Sequence, residues 1–136
     1  MKRFDYHVHT DQNLIEVHPV GVVQISDILS YAREALSRGI VTEGVVEYYD
    51  LSEMTNLEAD YESAAGLTAT LQEWLSRGWL GSVFFTPQKY QFGMIRMMGA
   101  IVESIPGAPA VVMIPSPEPI ALGDVRALVA EYRRMS

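Results

Sequence analysis

Two histidines near the N-terminus are spaced so that they could bind one metal ion. His7 and His9 lie in the segment Phe4–Thr10, in which apolar and polar residues alternate. This period of two predicts a half-buried strand. Because residues i and i+2 of a strand share a face, the two imidazoles would converge and could bind a transition metal. We otherwise expect both imidazoles to be partly exposed on an edge strand, with Tyr6 and Val8 buried behind them.

The His7-Val8-His9 motif resembles the opening of the PHP phosphoesterase family, in which an HxH pair begins a polynuclear metal site. The resemblance implies a metal-dependent hydrolase, and a catalytic metal of this kind needs about three or more protein ligands. The remaining histidine of the chain is His18, and the acidic strand end at Asp50 lacks the histidine of the family's TDH-type motif. A PHP-type hydrolase is therefore kept as a remote alternative, and no metal ligand is predicted.

Carboxylates are dense in the middle of the chain, but their spacing favours no catalytic pair. We interpret them as a solvated acidic rim around one strand and its loop. They are Glu43, Glu47, Asp50, Glu53, Glu58, Asp60 and Glu62. The sequence also has no P-loop, no GxGxxG motif after a strand and no GxSxG motif. We predict no catalytic residue, no cofactor and no enzymatic activity.

Length and charge narrow the class of protein. With 136 residues, of which 49% are hydrophobic, the chain predicts one domain over residues 1–136. Ten basic against 17 acidic residues give a net charge of −7, which disfavours nucleic acid or an anionic membrane as partner. There is no cysteine and no stretch of the roughly 20 apolar residues that a membrane-spanning helix needs. We expect a cytoplasmic protein without membrane insertion.

The periodicity of the sequence predicts strands that alternate with helices. Two short strands separated by Asp11–Asn13 indicate an antiparallel hairpin. Helical stripes then alternate with three further strands, predicted at Gly44–Asp50, Gly81–Thr86 and Ala110–Ile114. The order predicts an α/β domain with a mixed, mostly parallel five-stranded sheet, an N-terminal antiparallel hairpin and four helices.

Three stretches together resemble the SpoIIAA-like, or STAS/SEC14-like, domains of bacteria. Gly21–Leu29 is similar to the family's G-x-V-T-x-E-D-x-L motif, and Tyr49–Thr55 to its hDLSxVT strand end. Thr86–Met97 is similar to the P-x-x-x-x-FGMARM passage. The resemblance implies a mixed sheet with helices packed about it and largely non-enzymatic roles. In some relatives a kinase partner is bound under control of serine phosphorylation, and others bind lipid.

The same resemblance predicts that this chain lacks the phosphoserine switch. Aligning Asp50–Ser52 with the strand-end motif places Glu58–Tyr61 over the relatives' Asp-Ser-Ser-Gly tetrapeptide, so that Ala59 and Asp60 replace the two serines. Asp60 is instead expected to act as the N-cap of the second predicted helix. The hydroxyls that remain nearby are those of Thr55 and Ser63.

Ligands of open parallel sheets bind beyond the carboxyl ends of the strands. We therefore expect binding at the loops Asp50–Asp60 and Thr86–Phe92. The candidate binding residues are Asp50, Ser52, Thr55, Thr86, Gln88, Tyr90 and Phe92. We predict a non-catalytic STAS-like module that binds a protein partner or forms a homodimer. The alternative is a carrier of a small apolar ligand or lipid, with a cavity beneath the third and last helices.

Overall fold

The structure, a computed structural model, describes residues 4–107 and 109–135. The strands are β1 (Phe4–His9), β2 (Leu14–Pro19), β3 (Gly21–Gln24), β4 (Val46–Asp50), β5 (Met54–Glu58), β6 (Gly81–Phe85) and β7 (Ala110–Ile114). The helices are α1 (Ile25–Ser37), α2 (Tyr61–Ser76), α3 (Gln91–Glu103) and α4 (Leu122–Met135). None of the helices in these residues is both long enough and apolar enough to cross a membrane.

The main sheet has five strands in the order β1-β2-β4-β6-β7. β1 pairs with β2 antiparallel, and the other three neighbouring pairs are parallel. This arrangement, with four helices, confirms the predicted α/β architecture.

A second, two-stranded parallel sheet joins β3 to β5 and was missed from the sequence. The polar composition of Leu51–Asp60 indicates a loop, whereas Met54–Glu58 forms a strand. Met54 and Leu57 are buried at a spacing of three residues, which hides the period-two pattern of a strand.

The helices cover the two faces of the main sheet unequally. α1, α2 and α3 pack on one face, where Trp74 is fully buried at the centre of the larger core. α4 packs alone on the other face and contributes Val125 and Val129 to a smaller core. Tyr132 shares the helical stripe of Val125 and Val129 but is 46% exposed, because it lies beyond that core.

The two outer strands are less buried than the sequence predicted. β1 is an edge strand on which His7 is exposed and His9 half-buried, as expected. Tyr6 and Val8, however, are only half-buried, because the described part of the chain places a neighbouring strand on one side of β1 alone. The apolar run Ala110–Ile114 is typical of a strand covered on both faces, yet Ala110 is the only fully buried residue of β7, because β7 forms the opposite edge.

Candidate functional site

The loop after β4 is held by the side chain of Asp50. Its Oδ1 accepts a hydrogen bond of 3.0 Å from the backbone N–H of Ser52, which closes an Asx turn. Ser52 itself is exposed, and Thr55 is exposed on β5. Asp50 thus shapes the turn, while the two hydroxyls remain accessible.

The loop after β6 combines anchored and accessible side chains. Thr86 is buried, and its backbone N–H and its Oγ1 both donate to the Ile114 carbonyl, at 3.0 and 3.3 Å. Tyr90 is 55% exposed while its hydroxyl reaches the Met54 carbonyl at 3.4 Å. Gln88 is exposed and Phe92 is half-buried. This loop is therefore fastened at Thr86 and open at Gln88 and Tyr90.

Gln91 joins the two loops and was not singled out from the sequence. Its fully buried side chain donates from Nε2 to the carbonyls of Leu51 and Met54. Its Oε1 accepts a hydrogen bond of 3.1 Å from the N–H of Gln88. A glutamine at the start of a helix carries no sequence signal for such a tether, because its partners are backbone groups distant along the chain.

The seven predicted residues do not converge on one pocket. Asp50 faces a shallow polar depression on the uncovered part of the sheet, whereas Thr86 and Tyr90 contact backbone carbonyls. The depression is lined by Asp5, Tyr6, His7, Glu16, His18 and Asp50. His9 Nε2 lies 2.9 Å from Glu16 Oε1, close to this depression. Within residues 4–107 and 109–135, no three histidine or carboxylate side chains are placed to hold a metal ion.

An open apolar groove runs between α2 and α3. We name it the α2–α3 groove, and it is lined by Ala59, Tyr61, Ala64, Ala65, Thr68, Met97, Ala100, Ile101 and Ser104. The alanines keep the two helices from filling the space between them. Tyr61 is 90% exposed and Met97 is 38% exposed, so two large apolar side chains border the groove in contact with solvent.

The first turn of α2 gives the groove an acidic end. Glu58, Asp60 and Glu62 are all exposed there. Asp60 is the N-cap of α2, as predicted, and its Oδ1 accepts a hydrogen bond of 2.8 Å from the N–H of Ser63. The hydrogen bond from the Ser63 backbone lowers the pKa of the Asp60 carboxyl, so that the cap stays charged.

The prediction of a solvated acidic rim is wrong for Glu47, which is buried. It is only 3% exposed, because it lies on the central strand β4 and points into the core beneath α1 and α2. Its carboxylate accepts hydrogen bonds from the hydroxyls of Tyr31 at 2.5 Å, Tyr49 at 3.2 Å and Ser82 at 2.6 Å. Burial raises the pKa of Glu47 to about 7, and the three hydroxyls oppose that shift. A signal existed in the apolar run Val45–Tyr49, which is typical of a central strand.

A small cavity of about 20 Å³ lies against Glu47, between the sheet and the three helices α1 to α3. Apolar and aromatic side chains form most of its wall, among them Trp74 and Trp79. This volume accommodates about one water-sized molecule. The carrier alternative places a cavity beneath the third and last helices. α3 and α4 lie on opposite faces of the sheet. Both nevertheless border an open pocket of about 430 Å³ at the β7 edge, lined by Val102, Glu103, Gly107, Pro109, Ala110, Val111, Tyr132 and Arg133.

Comparisons with known proteins give a structural likeness. No family model matches the chain, and no curated protein matches it. A solved structure of the anti-sigma factor antagonist SpoIIAA in its unphosphorylated form is similar, with 12% sequence identity and a TM-score of 0.48. The likeness covers 96% of this chain and 97% of that one. That structure bears the name of the family that the three sequence stretches resemble.

Proposed function

We propose that this chain is a non-catalytic regulatory module that binds a protein partner in the α2–α3 groove. The partner would insert apolar side chains between the two helices and place basic side chains against the start of α2. The exposed ring of Tyr61 beside the alanine-lined groove is the observation that carries the proposal.

The apolar character of the groove supports a protein partner. Aromatic and methionine side chains are enriched in the cores of protein interfaces, and a tyrosine there often contributes much of the binding energy. Tyr61 and Met97 offer such side chains on the two sides of the groove. Burying them against a partner would remove from water an apolar surface that the fold leaves uncovered.

The charge of the groove favours a different protein over a second copy of this chain. Glu58, Asp60 and Glu62 lie together at one end and are exposed. Two copies meeting at their grooves would place these carboxylates near one another, which is unfavourable. A partner with lysine or arginine beside its apolar residues would complement them.

The state of the buried carboxylate supports a non-catalytic role. Glu47 is the carboxyl whose pKa is raised to about 7, a property that also marks many catalytic acids. Its oxygens are, however, already bound by three hydroxyls in an enclosed part of the core. A substrate larger than one water-sized molecule would have no room beside it.

The decisive experiment compares groove variants in affinity capture followed by titration calorimetry with the identified partner. Tyr61→Ala removes the exposed ring, and Ala65→Arg fills the groove with a long cationic side chain. The matched control is Tyr132→Ala, which removes a tyrosine that is 46% exposed on the opposite face of the sheet. We expect both groove variants to weaken binding at least about tenfold and the control to bind as the wild type does.

Two results would overturn the proposal. One is a partner that binds Tyr61→Ala and Ala65→Arg with unchanged affinity. The other is co-purified lipid in native mass spectrometry of the fresh protein, which would support the carrier alternative. A partner whose bound segment is acidic would contradict the charge argument alone.

A further inference from the structure

The outer edge of β1 exposes backbone groups that are ready to pair with another strand. Among the described residues, no strand lies on that side of β1. Directly before β2, the Asn13 carbonyl accepts a hydrogen bond from the N–H of Val46 on β4. The odd-numbered residues of β2 therefore bond to β4, and its even-numbered residues bond to β1. With the β1–β2 register of His7 opposite Glu16, the odd-numbered residues of β1 bond to β2. The N–H and C=O groups of Phe4, Tyr6 and Val8 therefore point outward.

A local contact confirms that alternation. The N–H of Tyr6 donates to the side chain of its own neighbour Asp5, at 3.0 Å, instead of to a strand. This bond occupies one outward donor of the edge in the single chain. A carboxylate on the adjacent residue can release it at little loss when a backbone carbonyl takes its place.

β1 carries few of the features by which proteins protect an open edge. Its sequence FDYHVH has no proline and no lysine, and its pairing with β2 runs without a bulge. The opposite edge strand β7 is bounded by Pro109 and Pro115, which shorten the edge that it can offer. The two edges of the same sheet thus differ in their readiness to pair.

The side chains of β1 are also incompletely covered. Phe4, Tyr6 and Val8 are half-buried on the α1 side, where the rings of Phe4 and Tyr6 pack against Tyr31. Another strand along this edge would extend the sheet and cover the exposed flanks of all three. Cross-strand pairs of aromatic and β-branched residues stabilise antiparallel strands.

We propose that a second copy of this chain pairs with β1 along this edge, antiparallel and about a twofold axis, giving one continuous sheet. The hydrogen-bonded pairs must join even-numbered residues, because only those point outward. A register with Tyr6 opposite Val8 of the second copy satisfies this condition over Phe4–Thr10. It places His7 opposite His7 of the second copy and Asp5 opposite His9 of the second copy.

The polar side chains on the open face of β1 favour a second copy of this chain as the partner strand. Asp5 and His9 become directly opposed twice, once on each side of the axis, so that a carboxylate faces an imidazole at each of these positions. In its imidazolium form, which has two N–H donors, His9 can donate to Glu16 from Nε2 and to Asp5 of the second copy from Nδ1. The strand is thereby complementary to itself, as a twofold interface requires. This surface is separate from the α2–α3 groove and leaves the groove free.

Sedimentation of the full chain from micromolar to millimolar concentration tests the proposal, together with hydrogen exchange. Val8→Pro removes an outward N–H from the edge while leaving the bonds to β2 intact. The matched control is Met113→Pro on β7. In the wild type, the N–H of Met113 also points outward. Ala110 and Ile114 bond to the β6 side, so the odd-numbered residues of β7 face away from β6. Asp5→Lys provides a second variant that keeps the backbone unchanged.

We expect the wild type to dimerise as its concentration rises, and the amides of Tyr6 and Val8 to gain protection in parallel. Val8→Pro should raise the dissociation constant of the dimer at least about tenfold, because each interface loses two symmetry-related bonds. Asp5→Lys should raise it by a smaller factor, and Met113→Pro should leave it unchanged. A chain that stays monomeric at millimolar concentration overturns the proposal, as does a dimer that responds equally to Val8→Pro and Met113→Pro.

Discussion

The two faces of the main sheet differ in how they accommodate polar side chains: one buries a carboxylate, and the other leaves carboxylates at the surface. Beneath α1, α2 and α3 the core is large and encloses Glu47, whose carboxylate accepts hydrogen bonds from three hydroxyls. On the other face the core around α4 includes residues of β4, β6 and β7 and Leu14 of β2. The polar residues Asp5, His7, Glu16 and His18 of β1 and β2 line an open depression beside it. Neighbouring residues of one strand experience both situations, since Val46 and Glu47 point to opposite faces.

This difference shows what decides whether a carboxylate can be buried. On the three-helix face, Tyr31 from α1, Tyr49 from β4 and Ser82 from β6 supply donors to Glu47. A buried polar group is tolerated when its partners are present and is destabilising when they are absent. On the α4 face, no helix among the described residues lies over Glu16, which lines the open depression where water can solvate it.

The largest expected effect is a difference in stability between the two cores. Trp74→Ala removes the central ring of the three-helix face and the hydrogen bond from Nε1 to the Ala32 carbonyl. We expect a loss of about 3–5 kcal/mol in the free energy of unfolding, measured with urea. Val129→Ala, which removes two methyl groups from the smaller core, should cost about 2 kcal/mol. An equal loss of stability in the two variants would contradict the claim that the larger core contributes more to stability than the smaller one.

The next effect is a dependence of stability on pH caused by Glu47. Its pKa is about 7 in the folded chain and near 4.5 when exposed, so the folded state binds the extra proton between these values. Stability should therefore fall as pH rises from about 4.5 to 7, by about 3 kcal/mol, and then become level. Urea unfolding at a series of pH values measures the slope.

Two glutamine variants test whether Glu47 causes the dependence of the free energy of unfolding on pH. Glu47→Gln keeps the shape of the side chain and cannot titrate, so the fall in stability between these pH values should disappear. Glu43→Gln changes an exposed carboxylate and should preserve the slope. A slope that survives in Glu47→Gln would show that another group titrates.

The sequence predicted the fold better than it predicted the environment of single polar residues. Periodicity located the four helices and the five strands of the main sheet, since burial of a continuous face leaves a regular pattern. It missed β3 and β5, the strands of the two-stranded sheet, and it placed Glu47 in solvent. The error at Glu47 and the failure to single out Gln91 have the same origin: their partners come from distant parts of the chain, and no local pattern records such contacts.

A smaller effect is expected from the tether between the two loops. Gln91→Met preserves the volume of the side chain but leaves the carbonyls of Leu51 and Met54 without their donor. The free energy of unfolding should fall by about 2 kcal/mol in urea unfolding. Gln88→Met, at an exposed position, should stay within about 0.5 kcal/mol of the wild type. Equal stability of the two variants would show that the Gln91 contacts contribute nothing.

The start of α2 should respond locally to loss of its cap. Asp60→Ala removes the acceptor of the Ser63 N–H, whereas Asp60→Asn keeps an acceptor without the charge. Hydrogen exchange at Ser63 should quicken in the alanine variant and change less in the asparagine variant. Because the pKa of Asp60 is lowered, its stabilising effect should be present near neutral pH and vanish as the pH falls through that lowered pKa.

The smallest expected effect concerns the hydroxyls around α2, which we predict are not regulatory phosphorylation sites. Ser63 is half-buried in the first helical turn, and Thr55 is exposed on β5. A phosphate on Ser63 would add negative charge beside Glu62 and Asp60, at the end of the α2–α3 groove that is already acidic. Asp60 meanwhile supplies a permanent negative group at the helix start, so a reversible one adds no new cap. Phosphopeptide mapping of protein from its native cells should find neither residue modified in stoichiometric amount, and Ser63→Ala should bind the partner unchanged. Phosphate on Thr55 or Ser63 that altered partner binding would show instead that this open, acidic region is a switch.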